Sequence, residues 1–287
     1  MEPLFDPHLL IARKKRALQR GDAGADFLMQ RAAADLSERL ATVERRFDKA
    51  AALFCLTGDA AAALRESGKV GDVVRIEADP LFLDGEGVVA PPETLPLEAA
   101  SLDLAVSLLT LHETNDTPGL LAQIRRSLKP DGLFLGAMAG AGTLQELRQS
   151  LLEAETEISH GAAPRVSPFA DVRDVGGLLQ RAGFALPVAD IESLTVRYAT
   201  MFDLMRDLRA MGATNALQAR SLRPATRALF LRAAQIYAER FSDPDGRIRA
   251  TFNFVWMSGW APHASQQKPL APGSAKMSLK DALEKRR

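Results

Sequence analysis

Apolar positions in the first half of this chain alternate between two rhythms. Short apolar runs of strand length are separated by stretches with helical spacing. Ala51-Ala52-Leu53-Phe54-Cys55-Leu56 is an apolar run that ends at Thr57-Gly58-Asp59. Ala60 to Ser67 is rich in helix formers and stops at Gly68. Val73 to Glu77 reads as a second strand, followed by Asp79-Pro80. The three segments predict a β-α-β unit whose first loop sits on a helix N-terminus. A short strand is expected at Gly87 to Ala90. Ser101 to Leu109 has the clearest strand composition. Thr117 to Leu128 reads as a helix, stopped by Lys129-Pro130-Asp131-Gly132, and Leu133 to Met138 as the next strand. Strands alternating with helices at this spacing predict an α/β fold, a mostly parallel sheet with helices on both faces.

The flanks follow other patterns. Residues 1 to 22 form a polar, basic, amphipathic arm. Ala25 to Arg39 starts a helix with Phe27, Leu28, Ala32, Leu36 and Leu40 on one face. After Gly142 the strand-helix rhythm stops. A helix is predicted from Thr143 to Ile158, a Gly/Pro-containing loop from His160 to Phe169, and a helix from Val172 to Arg181. One or two strands follow between Phe184 and Tyr198, then helices at Met201 to Met211 and Ala225 to Phe241, and a last strand at Arg249 to Trp260. The resulting division is an N-terminal helical arm (1–45), a nucleotide-binding core (46–142), a helical cap insertion with a strand return (143–225), a last helix and strand completing the core (226–262) and a polar tail (263–287).

Composition narrows the function classes. The 287 residues are 47% hydrophobic, enough for one large core with an insertion. Lys+Arg and Asp+Glu are equal at 36 each, so a nucleic-acid partner is not expected. The run Arg13-Lys14-Lys15-Arg16 departs locally from that balance and reads as a solvated helix face. No run approaches the roughly 18–20 apolar residues of a membrane span, so membrane contact is expected to be peripheral at most. Glu2 and Asp6 stand where a signal peptide would be acid-free. The single cysteine, Cys55, lies in an apolar run and reads as a buried structural thiol. The chain is expected to work in the compartment where it is made.

Further motifs carry a family resemblance. Leu108 to Leu111 followed by His112, then Asn115-Asp116, resembles the fourth-strand region of class I S-adenosylmethionine (SAM) methyltransferases. Leu128-Lys129-Pro130-Asp131-Gly132 is similar to the turn before their fifth strand. Gly136-Ala137-Met138, Thr143 to Arg148, Ala154 to Glu157, Ser167-Pro168-Phe169, Ala182-Gly183-Phe184, Met201 to Met205 and Met211-Gly212 narrow it. With Phe5-Asp6, and with Gly273-Ser274-Ala275 and Ser278-Leu279 in the tail, they resemble the respiratory complex I assembly-factor branch. A cousin of that branch is the malonyl-carrier-protein methyltransferase of biotin synthesis. The resemblance implies a class I, Rossmann-like fold, SAM as cofactor and a complex I subunit as protein partner. It also implies hydroxylation of an arginine on that subunit rather than methylation.

The cofactor loop departs from the superfamily pattern. Laid on this chain, the pattern's acid falls at Ala52 and its glycines at Phe54, Leu56 and Gly58, so only the third survives. A side chain at a left-handed position costs about 1–2 kcal/mol. The acid expected near Pro91 to read the adenine amine is absent, and a lost charged hydrogen bond costs roughly 1.5–3 kcal/mol. Together these remove about 4–7 kcal/mol, against about −8 kcal/mol for micromolar affinity. The remaining cofactor-binding candidates are Thr57, Gly58, Asp59, Glu77, Asp79 and Leu108, with Asp79 or Glu77 on the ribose. Thr57, Gly58 and Asp59 read equally as a helix cap. The substrate-pocket candidates are His112, Glu113, Tyr198 and Phe202, the first two at the strand-four switch point. Phe202, Met205, Leu208 and Met211 also fit a helix's core stripe. The four histidines form no cluster, and no metal site is expected. Three functions follow: a modifier of a complex I subunit, a pseudo-methyltransferase acting as an assembly chaperone, or a methyltransferase acting on a small carboxylate.

Overall fold

A computed structural model describes residues 2–159 and 161–267. The tail motifs Gly273-Ser274-Ala275 and Ser278-Leu279 lie outside the described residues. Seven strands form one sheet: β1 (Phe47–Leu53), β2 (Val70–Glu77), β3 (Val88–Val89), β4 (Leu102–Leu108), β5 (Leu128–Ala139), β6 (Ala185–Tyr198) and β7 (Ile248–Trp260). Their order is β3-β2-β1-β4-β5-β7-β6. β1 to β5 pair in parallel, and β7 runs antiparallel between β5 and β6. The strand order reverses between β1 and β4, so the loops after those two strands diverge and leave a crevice at their C-terminal ends.

Helices cover both faces, as the alternation predicts. On one face α2 (Phe27–Ala41) and α3 (Asp59–Glu66) bury Leu36, Leu40 and Leu64 with Trp256 of β7. On the other, α4 (Thr117–Ser127) and α6 (Val172–Arg181) bury Leu120, Ile124, Val175 and Leu179 against Phe134. A third apolar cluster lies beyond the sheet. There α5 (Gln145–Ser159), α7 (Met201–Ala210) and α8 (Arg227–Phe241) pack on the far ends of β6 and β7 through Leu151, Leu204, Ile236 and Phe252. By packing, α8 joins this cap through α5, whereas α6 and β6 pack with the sheet.

Two strands differ from the pattern. β1 starts at Phe47, four residues before the apolar run, because Asp48 and Lys49 are exposed and hide it from a hydrophobicity reading. β5 runs through Lys129-Pro130-Asp131-Gly132, with a register shift against β4 and Asp131 at φ +63°. The predicted turn is thus an irregularity inside a strand. Phe184 to Tyr198 resolves into a single strand.

The arm is the remaining layer. α1 (Pro7–Arg20) is capped by Asp6, whose side chain accepts the Leu9 N–H. Phe5 is 2% exposed and is held from two sides. Its N–H donates to Asn115 Oδ1 at 2.8 Å, its carbonyl accepts from Asn115 Nδ2 at 3.2 Å, and its backbone bridges Leu217. Gly212, at φ +74°, lets the arm approach the end of α7: a Cβ there would stand 3.0 Å from the Lys14 Cα.

Candidate functional site

The crevice holds two cavities. The larger, about 670 Å³, lies between α1, α2, the loop after β1 and the cap. Leu56, Leu109, Leu144, Phe169 and Phe252 give it apolar walls, and His112 and Glu113 are among its polar groups. The smaller, about 60 Å³, lies at the end of β2 between Glu77, Phe54 and the arm residues Leu10 and Ile11. Lys14, Leu56 and Glu113 line both and form the wall between them.

The loop after β1 keeps a left-handed backbone without glycine. Phe54 has φ +53° and Leu56 φ +63°, the two positions to which the sequence assigns missing glycines. Gly58 has φ −76°, so the one retained glycine does not need its conformational freedom. Phe54 is 6% exposed and packs into the core with Ile76 and Leu111. Leu56 is half-buried and faces both cavities. The capping expected of Thr57 to Asp59 does not form. Instead Thr57 Oγ1 donates to the Asp59 carboxylate at 2.5 Å, and α3 starts without a side-chain cap.

Charges at the end of β2 are largely committed. Asp79 accepts from Lys15 Nζ at 2.9 Å and caps the short turn Pro80–Phe82 through the Leu81 N–H. The hydrogen bond from Lys15 holds its carboxyl below the usual range. Glu77 is 2% exposed and its Oε1 has no hydrogen-bond partner. Burial pushes its carboxyl up to about 7, against the pull of Arg75 and Lys14. Arg75 stands 3.8 Å from it and donates to the carbonyls of Phe82 and Leu83. Cys55 is buried, its thiol pushed up to about 12 by burial, and it accepts the Leu108 N–H. The structural-thiol reading fits this placement.

At the end of β4, the short turn Leu111–Glu113 projects two groups toward the crevice. His112 Nδ1 accepts the Ala139 N–H at 3.3 Å. Burial lowers its pKa despite the attraction of Glu113. The ring is therefore neutral near pH 7, with Nε2 carrying the proton. Glu113 Oε2 lies 2.5 Å from Lys14 Nζ, with both side chains largely buried. Burial alone would raise the Glu113 carboxyl, but the Lys14 ammonium beside it pulls it below its ordinary value.

The candidates from sequence thus separate. Thr57, His112 and Glu113 line the larger cavity, and Glu77 and Glu113 the smaller. Gly58, Asp59, Asp79, Leu108, Tyr198 and Phe202 line neither. Leu108 is fully buried in the sheet core, and the next residue, Leu109, faces the cavity at φ +54°. Tyr198 is buried in the cap with its hydroxyl toward Asp207, away from the pocket, and Phe202 points outward at 41% exposure. Met205, Leu208 and Met211 do line the cavity. The reading of Arg13 to Arg16 as a solvated face fails at Lys14, the wall between the cavities. The amphipathicity expected of the arm explains this: Leu10, Ile11, Lys14 and Ala17 share one side of α1, so Lys14 goes with the apolar face rather than with its basic neighbours.

A SAM nucleoside does not fit the end of β2 with the arm in this position. Ligand pockets span about 300–1,000 Å³, and the space there is about 60 Å³. Phe54 and Leu56 carry side chains where close backbone approach is required, and Asp79 is spent on Lys15. The unpartnered Glu77 oxygen is the one feature suited to a ribose hydroxyl. Among the described residues, no three His, Cys, Asp or Glu side chains gather as metal ligands, and no helix is long and apolar enough to cross a membrane.

Comparison with known proteins gives the family. A methyltransferase-domain model matches residues 52–136. The chain is 46% identical to the zebrafish protein named arginine-hydroxylase NDUFAF5, mitochondrial, over 68% of this chain and 60% of that protein. To the mouse protein of that name it is 38% identical, over 96% of this chain and 82% of that one. It is 32% identical to a malonyl-acyl-carrier-protein O-methyltransferase of Methylovorus, over 90% and 91%. Among solved structures, YcgJ from Bacillus subtilis superposes with a TM-score of 0.54 at 15% identity, over 82% of this chain and all of that one, a likeness of fold alone. The chain belongs to the methyltransferase-domain family that includes the mitochondrial arginine-hydroxylase NDUFAF5 proteins and the malonyl-acyl-carrier-protein O-methyltransferases.

Proposed function

We propose that this chain serves the assembly of respiratory complex I by taking an arginine-bearing segment of one subunit into the cavity between arm and cap. The observation that carries this reading is the unequal size of the two cavities. The nucleoside end is closed to about 60 Å³, while the space toward the cap holds about 670 Å³ with apolar walls and a buried carboxylate. That space suits an extended side chain with its flanking backbone.

The family supports the same direction. Similarity to the arginine-hydroxylase branch covers more of this chain, at higher identity, than similarity to the carrier-protein methyltransferase. The reading has two forms: a modifier that changes the arginine, and a chaperone that holds the segment. The side chains of Phe54 and Leu56 at the cofactor end favour the chaperone. Methylation of a small carboxylate requires SAM at that same end and is the weaker reading. The names of the mitochondrial relatives support a site of action in the matrix or, in a bacterium, in the cytoplasm.

Deletion of the gene in the source organism tests the proposal. Native gels stained for NADH dehydrogenase activity are expected to lose assembled complex I and to regain it when the chain is restored. Mass spectrometry of the assembled subunits then separates the forms. An arginine carrying one extra oxygen that depends on the chain marks the modifier, and unmodified arginines mark the chaperone. Normal complex I in the deletion strain overturns both.

A further inference from the structure

We infer that Glu113 is the carboxylate that receives the guanidinium of the incoming arginine, and that Lys14 of the arm occupies that place as an internal surrogate. The inference rests on the reading that an arginine-bearing segment is the ligand. Glu113 belongs to the core, on the turn after β4, whereas Lys14 belongs to the arm. Their contact at 2.5 Å is made where the two cavities meet, with side-chain exposures of 13% and 15%. A carboxylate taken this far out of water requires a cation. A ligand that displaces the arm must therefore bring a positive charge of its own.

The surroundings select what kind of cation. Leu56, Leu109 and Met205 wall the larger cavity and suit the methylene stem of a long basic side chain. His112, neutral and bonded through Nδ1 to the Ala139 N–H, brings no competing charge. Arg165, also on the cavity wall, is committed to Glu155 through two hydrogen bonds of 2.9 and 2.6 Å. Of the other lining acids, Asp22 pairs with Arg20 and Asp26 accepts from Gln30, both in the connection between α1 and α2. Glu113 is the acid set between the cavities. A planar guanidinium can engage both of its oxygens, which the point charge of Lys14 cannot match.

The test is calorimetry with Nα-acetyl-arginine N-methylamide as probe and its citrulline counterpart, an uncharged isostere, as control. Lys14→Met is expected to bind the arginine probe at least about tenfold more tightly than the native chain, because the surrogate no longer competes. The gain is expected to vanish in Lys14→Met/Glu113→Gln and to be absent for the citrulline probe. A gain that survives Glu113→Gln, an equal gain for citrulline, or no gain in a cooperatively melting Lys14→Met protein overturns the inference. Lys14→Gln keeps a neutral donor beside Glu113 and replaces Lys14→Met, with the same contrasts, should that variant not fold. Complex I that assembles without the chain defeats the proposed function and leaves a Glu113-dependent gain standing. Loss of that gain defeats this inference and leaves an assembly role intact.

Discussion

Lys15 Nζ of the arm lies 2.9 Å from Asp79 Oδ2, at the strand end where nucleotide-binding folds hold ribose hydroxyls. Of the two acids that the sequence offers for the ribose, Asp79 is thus occupied by the chain's own lysine. With Lys14 on Glu113, the contact pins α1 across the nucleoside end. The Lys15 pair is partly exposed and is worth less than about 1 kcal/mol. Lys15→Ala is therefore expected to leave the melting temperature nearly unchanged while speeding proteolysis within residues 2–22. Unchanged cleavage would show that this pair does not hold the arm.

The Lys14–Glu113 pair is expected to behave differently. Both groups are largely buried, so removing either strands the other. Lys14→Met and Glu113→Gln should each destabilise the fold by about 2–4 kcal/mol. The double variant should recover part of that loss, with a coupling energy of about 1–3 kcal/mol in a double-mutant cycle read by urea unfolding. Additive losses would contradict a direct pair.

Phe54 and Leu56 share a strained backbone and differ in burial, so glycine should act unequally at the two sites. Relief of the left-handed conformation returns about 1–2 kcal/mol at each. Phe54→Gly also removes a buried aromatic, a loss of about 3–5 kcal/mol, and is expected to be destabilising overall. Leu56 is half-buried at a cavity wall, so Leu56→Gly is expected to stay within about 1 kcal/mol of the native chain. Denaturant midpoints compare them; a large loss at Leu56 would show that its side chain is structural.

The parallel part of the sheet was legible in the chain because β1, β2 and β4 are short, carry apolar runs and are separated by helices of ordinary spacing. The α6 helix fell at Val172–Arg181 as expected. The loop was legible in a narrower sense: missing glycines were visible, whereas retention of the glycine conformation by Phe54 and Leu56 depends on packing with distant residues such as Ile76 and Leu111. The role of the arm was not legible. Lys14 looks solvated in a run of four basic residues, and its partner lies 99 positions away on another strand end. Tyr198 and Phe202 lie away from both cavities for a related reason. Periodicity places a side chain on a face, but only tertiary packing decides what that face meets.

Burial of Glu77 gives a pH dependence with a definite sign. Its carboxyl is raised from 4.5 to about 7 in the folded chain, so the folded state holds the proton more tightly than the unfolded state. The stability this proton contributes is complete below about pH 4.5 and is lost as pH rises through about 7. Glu77→Gln cannot titrate, and Arg75 keeps its two carbonyl partners without the carboxylate. The stability of Glu77→Gln relative to the native chain should rise between about pH 5 and pH 8, by up to about 3 kcal/mol. A difference independent of pH would show that Glu77 does not titrate in this range.

Closure of the nucleoside end by the arm is tested most directly by calorimetric titration with SAM, comparing the native chain with Lys15→Ala/Asn115→Ala, which loosens the arm without touching either cavity wall. The native chain should bind no more tightly than about millimolar. The loosened variant should bind at least about tenfold more tightly, because a larger fraction of molecules is open. Micromolar binding by the native chain, unchanged in the variant, would contradict the account.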